Sequence, residues 1–146
     1  MKIIALAAGL LIAAIAPAKA DWAYTKWGMS LDQVVAASKG AVKILPKRQQ
    51  GMPLPDTKAY VAAEGGYTDG TTPLEVKFMV DPSGRLTCVF YAPADAKDNS
   101  ALTALMVKRY GPSQERSGLA WSSPDTISVM ELPGGPNVVS HCKKKN

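Results

Sequence analysis

One histidine, two cysteines and the lack of any long apolar run each remove a class of function from this 146-residue chain. A transition-metal centre built from His and Cys needs three or four ligands. His141, Cys88 and Cys142 are all that the chain offers, so no metal, no cofactor and no catalytic residue is expected. Asp69, Glu75, Asp81, Asp95 and Asp98 are scattered without a D-x-D-x-D-G calcium loop and read as turn and surface groups. Neither G-x-x-x-x-G-K-[ST] nor G-x-G-x-x-G occurs, which leaves no sequence case for a phosphate-binding loop. Two cysteines are also too few for a disulfide-dense miniprotein.

The chain does have 47% apolar residues, 12 glycines and 11 prolines, the make-up of one ordinary, heavily punctuated domain. Met1-Lys2, the apolar stretch Ile3 to Ala16, Pro17 and the Ala18-Lys19-Ala20 site predict a secretory signal peptide over 1–20, cleaved after Ala20. The apolar stretch is shorter than the ~20 residues a spanning helix needs, so no stable membrane anchor is expected after cleavage. The mature protein is then expected in an oxidising space, periplasmic or secreted.

Removal of 1–20 takes two of the 17 basic residues and none of the 12 acidic ones, and Lys143, Lys144 and Lys145 account for the remaining excess. The body is therefore neutral, and no nucleic-acid partner is expected. The domain organisation follows: a signal peptide over 1–20, one α+β domain over 21–142, and a basic tail over 143–146, read as a solubilising terminus.

Trp22, Tyr24 and Trp27 crowd the start of the domain and read as a lid on the core. Ser30 and Gln33 have the spacing of a capping box, with Met29 and Val34 as a hydrophobic staple, so a helix starts here and Gly40 ends it. A brief strand over 41–45 precedes a loop broken by Pro46, Gly51, Pro53 and Pro55. From 59 onward the period is two: a strand with a bulge or bend at Gly65-Gly66, a hairpin at Asp69-Gly70, and a strand through Leu74, Val76, Phe78 and Val80. Asp81-Pro82-Ser83-Gly84 turns the chain into a returning strand over 85–91. Asp98, Asn99 or Ser100 caps a second helix with the stripe Leu102, Leu105, Met106 and Tyr110, ended by Gly111-Pro112. Short strands over 119–122, 126–132 and 137–142 follow. The predicted architecture is a two-layer α+β sandwich, an antiparallel sheet with two helices packed on one face, with an element order that allows two αβββ-like halves.

Trp27-Gly28-Met29-Ser30 followed by Gln33-Val34 resembles the G-M-[ST]-x-x-[QE]-V helix start of exported bacterial proteins of the SmpA/OmlA type and of the β-lactamase-inhibitor-like (BLIP-like) fold. Asp81 to Leu86 and Tyr110-Gly111-Pro112 look like features of uncharacterised periplasmic proteins of similar build. The resemblance implies a helical pair on an antiparallel sheet and a protein-binding or adaptor role, and carries no catalytic residue across. The chain departs from the lipoproteins in having no cysteine near the expected cleavage site.

His141 beside Cys142 raises a thiol-enzyme reading, but neighbours on a strand point to opposite faces. A Ser-His-Asp site would place its base, His141, two residues from a lysine tail, a poor place to hold a group rigidly. Two cysteines in an oxidising compartment suggest a Cys88–Cys142 disulfide, against the alternative of a buried Cys88 thiol and a Cys142 that frays with the tail. The expected function is a non-catalytic protein-binding or adaptor module with another periplasmic or envelope protein as partner. The alternatives are a small envelope hydrolase acting on peptidoglycan or peptides, and a small-ligand carrier.

Overall fold

Alternating apolar residues need a neighbour to cover them, and here the covering is done by one seven-stranded antiparallel sheet and two helices. The computed structural model describes residues 21–115, 118–122 and 124–145, so the expected signal peptide lies outside the described residues. The chain runs α1 (Leu31–Ala37), β1 (Val42–Ile44), β2 (Tyr60–Asp69), β3 (Thr72–Val80), β4 (Leu86–Pro93), α2 (Asn99–Tyr110), β5 (Leu119–Trp121), β6 (Thr126–Met130) and β7 (Val138–Cys142). In space the strands are ordered β1-β2-β3-β4-β7-β6-β5. The last strand of the chain thus lies inside the sheet, between β4 and β6.

The α1 start is as its residues dictate. The Gln33 backbone N–H donates to Ser30 Oγ at 3.3 Å, and the Ser30 N–H donates to Gln33 Oε1 at 2.9 Å, which closes the capping box. Val34 is fully buried. The second helix starts differently. Asp95, rather than Asp98, makes a side-chain cap, accepting the Lys97 N–H in a 3-10 turn over Ala96–Asp98 that leads into α2. Asn99 turns its amide away from the helix: Nδ2 donates to the Gly135 carbonyl at 3.1 Å and Oδ1 accepts the Asn137 N–H at 2.8 Å. The start of α2 is thereby fastened to the β6–β7 connection.

Strand parity sorts the sheet into two faces. On one, Ala63, Leu74, Val76, Phe78, Val89, Tyr91, Trp121, Ile127 and Val139 form a single buried cluster with Val34 of α1 and Leu102 and Met106 of α2. Trp22 closes this cluster, its ring 5.1 Å from Tyr67, 5.5 Å from Tyr91 and 5.9 Å from Phe78 between centroids. The Tyr67 and Phe78 pairs are edge-to-face, which is favourable at such distances, and the aromatic N-terminal segment acts as the expected lid. Tyr24 packs in the same group, and burial, then the neighbouring Tyr67, pushes its hydroxyl up to about 12.

Two details differ from the reading of the sequence. Gly65-Gly66 does not bend β2, which runs straight through to Asp69, and the register shift lies between Val61 and Ala63. Glycine is required at 65 because a Cβ there would collide with the Ala41 carbonyl as the chain enters β1. Met79, which alternates with the inward-facing Phe78 and Val80 and so lies on the other side of β3, is buried by a second small cluster with Ala59 and Cys88, with Val61, Phe90 and Cys142 packed around it.

Candidate functional site

The only histidine in the sequence is a core residue. His141 sits on β7 opposite Val89 and Ile127 and is 1% exposed. Its Nε2 lies 2.8 Å from Asp125 Oδ2, and Trp27 Nε1–H donates to Asp125 Oδ1 at 3.0 Å. Asp125, just before β6, is also buried. The Trp27 and Tyr110 rings stand edge-on to the imidazole at 5.5 and 6.1 Å. Burial holds His141 below the usual histidine range, and the Asp125 hydrogen bond opposes that only in part. A neutral imidazole carrying its proton on Nε2 donates to Asp125, while Nδ1 is buried with no partner. The cluster joins the N-terminal segment, the β5–β6 turn and β7. This corrects the picture of a histidine loosened by the tail: β7 extends through Cys142 and the ring is firmly held.

Cys88 and Cys142 form a disulfide, and they are register partners on β4 and β7 with Cα atoms 4.0 Å apart. The Lys143 N–H donates to the Thr87 carbonyl at 2.9 Å, so the cysteines occupy the adjoining non-hydrogen-bonded position, where opposed side chains are closest. As strand parity requires, His141 and Cys142 face opposite sides of the sheet, and no thiol remains to be activated. The scattered carboxylates also have local roles. Asp69 receives a two-pronged ion pair from Arg109 at 2.8 and 2.9 Å, which ties α2 to the end of β2. That hydrogen bonding raises the Arg109 guanidinium further above its already high range. Asp81 accepts from the Ser83 hydroxyl and from the N–H groups of Ser83 and Arg85, which holds it below the ordinary carboxylate range. Among the described residues no group of three His, Cys, Asp or Glu is placed to hold a metal ion.

The feature that sequence reasoning missed lies on the other face of the sheet. Among the described residues no buried cluster of helix residues covers this face across Glu64, Glu75, Lys77, Phe90, Ala92 and Val138, and a groove of about 650 Å³ runs over it. Phe90, Ala92 and Val138 give it an apolar floor, with Leu132 and Pro136 from the β6–β7 connection as one wall. Glu64, Glu75 and Lys77 stand along β2 and β3, and none makes an ion pair among the described residues. Met130 and Leu132, 64% and 42% exposed, continue the apolar surface beyond it. Such a groove can take apolar side chains and pair with a neighbouring charge. The sequence signal was the apolar character of Phe90, Ala92 and Val138 at outward-facing parity, legible only once the helix-covered face is known.

Compared with protein-family models, curated proteins and solved structures, the chain matched none of them.

Proposed function

We propose that this protein is a non-catalytic binding module of the bacterial envelope that presents the outer face of its sheet to a partner protein. The observation that carries the reading is the asymmetry of the sheet. One face is closed by a cluster containing both helices, while the other keeps an open, mainly apolar groove. In this reading the helices and sheet form the two layers of an α+β sandwich, and the two helix-then-meander segments meet as halves along the β4–β7 seam. The likeness of the helix start to SmpA/OmlA-type and BLIP-like proteins agrees with such a role.

The Cys88–Cys142 bond is consistent with export, and among the described residues no helix is long and apolar enough to cross a membrane. The hydrolase alternative finds no support in the burial of His141 against Asp125 and Trp27. The apolar floor of the groove beside charged side chains supports an interaction surface. Its openness favours a protein surface over an enclosed small ligand, and the partner contributes an apolar side chain flanked by a basic one to meet Glu64 and Glu75.

The test is capture from the native envelope extract with the wild type and with Ala92→Arg and Leu132→Asp, which obstruct the groove, beside Lys97→Glu at an exposed site before α2. Recovery of the captured partner should fall at least about tenfold for the groove variants and be unchanged for Lys97→Glu. Equal recovery by all four proteins would overturn the assignment. A thermal shift produced by envelope metabolites and abolished by Ala92→Arg would replace the protein partner with a small ligand.

A further inference from the structure

Register places three separate segments at the same end of the sheet, away from the groove. Tyr60 pairs with Val80, Val80 with Leu86, and Cys88 with Cys142. The loop over 46–58, the turn over 81–85 and the tail over 143–145 therefore lie together at this end, whereas the groove lies over the opposite half of β2, β3 and β4. The shared end is basic: among the described residues Lys47, Arg48, Lys58, Arg85 and the Lys143–Lys145 run face Asp56, Asp81 and Asp125, and Asp125, placed there by the pairing of Thr126 with Cys142, is buried against His141 and Trp27. Asp81 is engaged in its turn by Ser83 and Arg85. The N-terminal segment and the start of α1 add Lys26 and the carboxylates of Asp32 and Asp21, of which Asp21 accepts the Trp27 N–H.

The same end carries exposed apolar side chains. Met52 is 90% exposed, the highest value among the exposed large hydrophobic residues, and Leu54 follows it at 37% between Pro53 and Pro55. These residues do not dangle. The Gly51 N–H donates to the Val61 carbonyl at 3.2 Å, the Leu54 N–H to Ala59 at 2.8 Å, and the Lys58 N–H to Leu54 at 2.9 Å. A hydrogen-bonded loop thus holds Met52 outward, with cations on both sides of it in sequence and the lysine tail at the same end of the sheet, beyond β3 and β4.

We infer that this end of the sheet docks reversibly on an anionic lipid bilayer, with Met52 and Leu54 entering the interface and the lysines lying among the headgroups. Cations alone would suit any polyanion. An apolar tip set among them suits a surface that is charged outside and apolar beneath, and the two weak signals reinforce one another. Docking in this orientation leaves the groove clear of the membrane and facing sideways, free for a partner.

The protein, expressed with its own leader and purified as the cell leaves it, is sedimented with sucrose-loaded vesicles of phosphatidylcholine alone or mixed with phosphatidylglycerol. Binding is expected only to the mixed vesicles at low salt and should vanish near ~0.5 M NaCl. Replacing Lys143, Lys144 and Lys145 together by Ala should lower the partition coefficient by about tenfold or more. Met52→Asp should lower it several-fold without that change. All of these positions are exposed, so the thermal midpoint serves as a check that the fold is intact. Absence of binding to phosphatidylglycerol at low salt would overturn the proposal. So would an unchanged partition coefficient for Met52→Asp, which would leave a charge contact with no apolar entry into the interface.

Discussion

His141 illustrates how one buried side chain sets a pH response. In the fold the imidazole is held below its ordinary value by burial, whereas in the unfolded chain it titrates near ~6.5. Below that pH the unfolded chain binds a proton that the folded protein does not, so stability falls as the solution is acidified. The loss should approach about 1.4 kcal/mol per pH unit until the folded-state value is reached, and above the unfolded value the contribution is complete. Because the sequence has one histidine, the response can be assigned without ambiguity. Denaturant titrations at pH 7.5 and ~5.5 should show the loss in the wild type and its absence in His141→Gln, and equal losses would refute the assignment. Ser30 offers a simpler test. Both arms of its capping box are formed, so Ser30→Ala should cost about 0.5–2 kcal/mol in the same measurement. Ser30 was legible from sequence because its partner is three residues away. The tie between His141 and Asp125 was not, because it depends on which face of β7 turns inward.

Among the elements, β4 and β7 form the seam that joins the two meanders. Cys88 and Cys142 bond across it at a separation of 54 residues, which in the chain-entropy picture contributes about 4 kcal/mol by restricting the unfolded chain. Thiol titration of the denatured, unreduced protein should find no free thiol, and reduction should release two and lower the denaturant midpoint. Two free thiols before reduction would rule the bond out. The sequence spelled out the elements with local punctuation: α1 by its cap, and the β3–β4 hairpin by alternation and Asp81-Pro82-Ser83-Gly84. It was silent on strand neighbours, since pairing across half the chain leaves no periodic trace. The cysteines alone hinted that the last strand returns to the middle of the sheet. The outer groove was hidden for the same reason, as Phe90 and Val138 look like any other strand residues until β4 and β7 stand side by side.

For the whole molecule, the two faces and two ends of the sheet differ: a core on one face, a groove on the other, and a basic end away from that groove. The expectation of export is tested by intact mass. Protein recovered from its native compartment should begin at Asp21, and a mass that retains residues 1–20 would indicate an anchored form instead. The position of β7 has a temporal consequence as well. A chain made from its N-terminus yields β4 and β6 before the strand that both of them pair with. Until then the sheet has a gap at its centre, and no order of synthesis lets the earlier strands complete it. Until residues 138–142 follow, β1 to β4 and the pair β5 and β6 are two sets of strands with no pairing between them.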